Sequence, residues 1–248
     1  MLLHQSTWAE VEAYLQGSNG IVMPIGSTEQ HGPVGMIGTD SICAEVIAKG
    51  VGEAAGAMVG PTIGVGMSEH HMRFPGSMTL KPSTLVLVVR DYVISLAAHG
   101  FRRFLFVNGH GGNLASLQAA FSEVYGEVRE PSAADTPDVR CKAINWWQFD
   151  PLPAMGREMF GAADGSHAAA SEVAVAQFAD AANIREGVLD PEVAPRGSFF
   201  GADTFRERFP DGRIGSNSAL ASPEKGERLY AKSVEAIVDS YRAFLTEA

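Results

Sequence analysis

Short apolar runs that stop at glycine, each followed by a longer amphipathic stretch, recur along this chain, and that alternation leaves few folds open. "IVMPIG", "AMVGPTIGVG", "RFLFVNG" and "RCKAINWW" read as buried strands, the second with its loop. Helices are expected between them. "TWAEVEAYLQG" opens with Thr7 and Glu10 in capping-box spacing and closes at Gly17. "DSICAEVIAKG", a stretch running from Ser83 to a stop at Gly100, and "NLASLQAAFSEVYGEV" follow. "HAAASEVAVAQFADA" should be a helix begun just after Asp164 and Gly165, and the last helix takes Ser222 as N-cap with Pro223 at its first position. The pattern predicts a largely parallel sheet covered by helices, in one α/β domain over residues 1–248. Residues 183–221 are rich in Gly, Pro, Ser and Asp and read as a long irregular segment of the kind that often carries function.

Composition removes several function classes. Hydrophobic residues make up 46% and charged residues 19%, which is enough apolar surface for a core. A net charge of -10 with no basic stripe excludes a phosphate-backbone partner, so no nucleic acid is expected. The opening "MLLHQSTW" has no basic region followed by an apolar one, and the longest aliphatic run is "LVLVV", so neither secretion nor a membrane is expected. Cys43 and Cys141, each inside an apolar segment, fit reduced, buried thiols, and the expected setting is cytoplasmic.

The polar residues that periodicity does not explain collect just after the strands, where open parallel sheets bind ligands. His31, His70, His71, His110 and His167 lie in such loops or at helix starts, whereas His4 and His99 read as solvent-exposed. Glu29 and His31 are one residue apart and point to the same side of an extended backbone. Asp40 opens a helix, where it is either an N-cap or a ligand. "FVNGHGGN" sets His110 among glycines; such a loop could cradle a phosphate, although it fits neither nucleotide motif, or Gly111 and Gly112 could offer N–H groups to an oxyanion. Glu172 stands in an Ala- and Val-rich helix, either at its solvent edge or paired with a cation. Together Glu29, His31, Asp40, His110 and Glu172 offer carboxylates and imidazoles enough for two metals bridged by Asp40, with Zn, Mn or Fe(II) all chemically suitable. A bridging hydroxide would then attack a polarised carbonyl, with a nearby histidine shuttling the proton.

"PIGSTEQHGPVGMIGTD", "MSEHHMRFPGSMTL", "FVNGHGGN", "DGSHAAASEV" and "ALASPEKGERLY" resemble, in order, the signature blocks of the creatininase (creatinine amidohydrolase) family. The resemblance implies a three-layer α/β/α sandwich with a mostly parallel central sheet, two divalent metal ions (Zn first, Mn or Fe(II) as alternatives) and a homohexamer. It also implies hydrolysis of a non-peptide C–N bond in a small cyclic amide or related ring. Carried over by position, Glu29 and His110 hold one metal, His31 and Glu172 the other, and Asp40 bridges. His167 takes the place of the family's proton-shuttling histidine, with Glu172 beside it in the catalytic set, and His71 and Trp147 join Gly111 and Gly112 around the substrate. Trp147 reads equally as packing, Trp146 as core, and His70 as exposed. The sequence departs from the family at "HAAASEVA", which lacks the block's first Glu and its Thr-Ser pair, and at "VGMI", which replaces a His-containing entrance by an apolar one. Alternatives within the family are ring opening of an inosose-type sugar ketone and a peptidase of cofactor maturation; outside it stands a catalytically silent binding protein.

Overall fold

The computed structural model describes residues 1–128 and 138–247, so the single-domain expectation extends over residues 129–137 and 248, which lie outside them. Strands β1 (Gly20–Ile25), β2 (Met58–Val59), β3 (Arg103–Asn108) and β4 (Arg140–Asn145) form a parallel sheet in the order β2-β1-β3-β4. From β1 the chain steps outward to β2 and then crosses back to β3. The connections therefore diverge between β1 and β3, and that is where such a sheet opens a crevice at its carboxyl edge.

Alternation along the strands builds two cores. Val22, Leu105 and Val107 face one layer of helices, while Ile21, Met23, Ile25, Phe104 and Phe106 face the other. The first layer is α2 (Thr39–Ala55), α6 (Ala170–Ala179) and α8 (Pro223–Thr246), packed through Ile47, Ala174 and Ile237. The second is α3 (Pro82–Ala97) and α4 (Leu114–Val128), packed through Val89 and Leu117, with α1 (Trp8–Leu15) beside them. The α/β/α sandwich expected from the sequence is thus present. Thr7 and Glu10 cap α1 reciprocally, and Ser222 caps α8 ahead of Pro223.

The differences from expectation have physical causes. Helix α2 passes through Gly50, because this glycine is a packing point: a Cβ there would lie 2.3 Å from the Tyr230 hydroxyl of α8. The chain leaves the sheet at Asn145, so Trp146 and Trp147 sit in the turn beyond β4. Helix α6 starts at Ala170 rather than just after Gly165, with Asp164 reaching forward to accept the Ser171 N–H at 2.8 Å. Two short helices lacked a clear periodic signal, α5 (Leu152–Phe160) behind a proline-rich turn and α7 (Ala202–Arg208) inside the irregular segment. Cys43 is buried and Cys141 only partly so, and both are free thiols. Among the described residues no helix is long and apolar enough to cross a membrane.

A buried guanidinium organises the irregular segment. Arg213 pairs with Asp211 and donates to the carbonyls of Pro191 (2.6 Å), Glu192 (3.0 Å) and Ser216 (2.8 Å). Ile214 in turn pairs antiparallel with His167, fixing the backbone before α6. Elsewhere the core should behave as an ordinary close-packed interior. Phe106 is fully buried and its ring lies 5.3 Å from that of Phe121. Phe106→Ala is expected to cost about 3–5 kcal/mol in urea unfolding, and a loss below about 1 kcal/mol would contradict this packing.

Candidate metal centre

Glu29 and His31 follow β1, Asp40 lies in the first turn of α2, His110 follows β3, and Glu172 lies in the first turn of α6. All five converge. Glu29 is 0%, His31 1% and Asp40 3% exposed, so these carboxylates stand away from water. Asp40 does not cap its helix, since Gly38 holds that position and the carboxylate turns instead toward His31 and His110.

The two ligand-type histidines are held by their outer nitrogens. His31 Nδ1 lies 3.0 Å from the Glu29 carbonyl, which can only accept, so that nitrogen carries the proton. In the neutral ring Nε2 is then bare and faces Asp40 Oδ1 at 3.1 Å and Glu172 Oε1 at 3.7 Å. His110 is anchored the same way through Nε2 to the Met67 carbonyl at 2.9 Å, which aims bare Nδ1 at Glu29 Oε1 and Asp40 Oδ2, both 3.2 Å away. Carbonyl anchors of this kind orient imidazoles for metal binding. Glu29 Oε1 and Asp40 Oδ2 are buried without a hydrogen-bond donor, so with His31 and His110 neutral their lone pairs and those of the carboxylates point at one another. A cation resolves that conflict, and the donor set of carboxylate oxygen and imidazole nitrogen suits a divalent transition metal. Among the described residues, Glu29, Asp40 and His110 form one group of converging ligand atoms and His31, Asp40 and Glu172 a second, with Asp40 common to both, and Glu29, His31 and His167 form a third.

Proton affinities record the same crowding. Burial pulls the His31 imidazole down, but the Asp40 carboxylate, helped by Glu172 and Glu29, raises it to about 10. His110 is raised in the same way against its burial, chiefly by Glu29. Burial, reinforced by Asp40, pushes Glu172 up to about 7, although His31 opposes it. His167 is lowered by burial and by His71 and His31. Where no cation balances the carboxylates, the ligand histidines hold protons instead.

The loops that carry these groups are locked by amides. Asn108 donates to the His110 carbonyl at 2.6 Å and to Asn145 Oδ1 at 2.8 Å. Asn113 donates to the Gly26 carbonyl at 2.9 Å and accepts the Met67 N–H at 3.0 Å, tying the loops after β1, β2 and β3 together. The asparagines of "FVNGHGGN" are thus the framework and the histidine its cargo. Ser68 donates to Glu29 Oε2 and contacts Ser27, fixing the carboxylate from behind.

A cavity of about 680 Å³ opens onto the cluster. Asp40, His110, His167 and Glu172 form its polar floor, and Gly111, Gly112, His71 and Trp147 line it as the sequence suggested. Trp146 also contributes to the wall although nearly fully buried. His70 corrects its exposed reading: it is part-buried, lines the cavity and stacks on Phe199 at 5.2 Å. Phe199 and Phe205 come from the irregular segment, whose lack of periodicity gave no pointer to individual residues. Gln30 and Ser68 went unrecognised too; their only signal was their place beside charged residues in loops already singled out.

The sequence profile of the creatininase family, described as creatinine amidohydrolase, matches residues 4–241. The creatinine amidohydrolase of Pseudomonas putida is 29% identical over 250 residues, 95% of this chain and 94% of that protein. The mycofactocin precursor peptide peptidase of Mycolicibacterium smegmatis is 38% identical over 116 residues, 44% of this chain and 47% of its own. A solved structure, Creatininase Mn, superposes with a TM-score of 0.84 at 27% identity, covering 99% of each chain.

Removing an amide lock should loosen the whole arrangement. Asn113→Ala strips partners from Gly26, Met67 and Asn108 at once. It is expected to cost about 2–5 kcal/mol in chemical unfolding, whereas a change within about 0.5 kcal/mol would show that the loops stand without it.

Proposed function

Because this chain belongs to the creatininase family of metal-dependent hydrolases, we propose that it hydrolyses a C–N bond in a small cyclic amide or related ring at a centre of two divalent cations. The observation that carries this is the pair of buried carboxylate oxygens, Glu29 Oε1 and Asp40 Oδ2, that accept no hydrogen bond and face imidazole nitrogens. Glu29, Asp40 and His110 would hold one cation and His31, Asp40 and Glu172 the other, with Zn preferred for this donor set and Mn or Fe(II) acceptable. Bound there, the cations would supply a lowered pKa for water and Lewis acidity toward the scissile carbonyl.

The chain's own groups do the rest. His167, at the cavity floor and 3.6 Å from Glu29, carries a proton from the attacking water to the leaving nitrogen. Gly111 and Gly112 line the cavity beside His110, and their backbone N–H groups would serve the carbonyl oxygen as negative charge develops on it. Trp147 and Phe199 give a flat substrate aromatic walls and exclude water. Assembly into a hexamer, implied by the family resemblance, belongs to the same proposal and is checked by light scattering of the purified protein. A peptidase activity is the second candidate, favoured by the match to the mycofactocin peptide peptidase and by a cavity larger than a single ring requires. Short peptides included in the screen of cyclic amides separate the two.

Elemental analysis after metal loading is expected to find about two metals per chain, none in Asp40→Ala and about one in Glu172→Gln. Full metal content in Asp40→Ala would rule out the shared-ligand arrangement. On whichever substrate the screen identifies, His167→Asn should lower kcat by roughly 10²–10⁴-fold with metal content unchanged. An unaffected kcat would remove His167 from the reaction.

A further inference from the structure

Four imidazoles, those of His31, His71, His110 and His167, crowd the buried carboxylates, and a backbone carbonyl on the outer nitrogen settles the proton of His31 and of His110. The other two meet at Gln30. This side chain is 7% exposed, and no part of the proposed reaction uses it. Its amide orientation is fixed, because Oε1 accepts the Gly32 N–H at 2.8 Å and a backbone N–H can only donate. Nε2 therefore points at the rings.

Proton counting then decides the tautomers. Gln30 Nε2 has two protons and lies near three atoms: the Gly212 carbonyl (2.8 Å), His71 Nδ1 (3.0 Å) and His167 Nε2 (2.8 Å). His167 Nε2 is also 2.9 Å from the Gln30 carbonyl, against which a bare nitrogen would set two lone pairs face to face. If His167 Nε2 bears the proton and donates it to that carbonyl, the two amide protons go to Gly212 and His71. The Gly212 carbonyl, His71 Nδ1 and the Gln30 carbonyl then each have a donor, and the one contact left without a hydrogen bond is that between the two donor nitrogens, Gln30 Nε2 and His167 Nε2. With the opposite His167 tautomer, one acceptor near the amide and the Gln30 carbonyl both lose their donors.

We propose that Gln30 is a positioning residue that sets the proton placement of both remaining histidines, resting on the metal-hydrolase function proposed above. Its side-chain amide holds His71 with Nδ1 bare and Nε2–H turned to Glu29 Oε1, an ion–dipole contact of 3.3 Å. Its backbone carbonyl holds His167 with Nε2–H outward and Nδ1 bare, 3.6 Å from the same oxygen. His71 is thereby a donor that can neither ligate nor accept a proton at the centre, while His167 Nδ1 is the atom that can accept one. By position too, His71 stands outside the converging ligand groups found among the described residues, whereas His167 joins Glu29 and His31 in one of them. The device also ties the irregular segment to the site. Gly212, at φ 90°, brings its carbonyl against the amide, and a Cβ there would stand 1.8 Å from Gln30 Oε1.

Nitrogen NMR of protein with isotope-labelled histidine distinguishes bare from protonated ring nitrogens, and in the solid state it does not depend on particle size. The metal-free protein at alkaline pH is measured first, with His71 and His167 identified by the signals lost in His71→Asn and His167→Asn. Both residues are expected to show bare Nδ1 and protonated Nε2. In Gln30→Glu the carboxylate accepts where the amide donated, so the His71 pattern should invert to protonated Nδ1, while His167, bound to a backbone carbonyl, should not move. A protonated His71 Nδ1 in the wild type, or a His71 pattern unaltered in Gln30→Glu, would falsify the proposal. Because the wild-type spectrum alone can overturn it, failure of the variant to fold does not shield it. Bound metal is counted separately: wild type that takes up no metal yet shows the expected tautomers sinks the hydrolase function and leaves Gln30 in its role, and the reverse result does the opposite.

Discussion

Negative charge gathered out of water is unfavourable unless positive charge lies within it, and this molecule gathers Glu29, Asp40 and Glu172 at the carboxyl edge of its sheet. Much of the surrounding loop chemistry keeps that arrangement from relaxing. Ser68 restrains Glu29 from behind, Asn108 and Asn113 clamp the loop bearing His110, and carbonyls anchor the outer nitrogens of His31 and His110. An imidazolium, which donates at both ends, could use the same carbonyls, but only a neutral ring needs them to keep its single proton on the outer nitrogen. The anchors matter when the inner nitrogen has to be bare.

The sheet supplies the reason such a cluster can form. Parallel strands end on one side, so segments distant in sequence arrive at one rim with their side chains already sorted between faces. Asp40 and Glu172 stand in the first turns of α2 and α6, where unpaired N–H groups favour anionic side chains. Glu172 accepts the Ala169 N–H at 2.6 Å and faces His31 with the same oxygen. One carboxylate thus closes a helix and completes the cluster.

Strand and helix existence was legible wherever burial imposed a clean period, as in "RFLFVNG" between two helices. Boundaries were less so. Gly50 has the signature of a helix stop, yet its missing side chain makes room for Tyr230, a contact invisible until α8 is in place. The charged members of the centre stood out because no local pattern accounts for them. Gln30 and Ser68 did not, since an uncharged polar residue in a loop is unremarkable until the groups it serves are brought to it by the fold. His70 was misread for a related reason: its neighbours Phe199 and Phe205 come from a segment without periodicity.

The buried guanidinium of Arg213 has a consequence for how the protein can change. The segment it fastens contributes Phe199, Phe205 and Ile214 to the cavity wall but none of the converging ligand groups found among the described residues. Away from Phe205, Gly212 and Ile214, which touch His71, Gln30 and His167, composition of that wall and integrity of the charged floor are therefore separable in heredity. Substitutions between the fastening points can remodel which molecules fit while the floor stays as it is, so such a fold can diversify its diet without reinventing its chemistry.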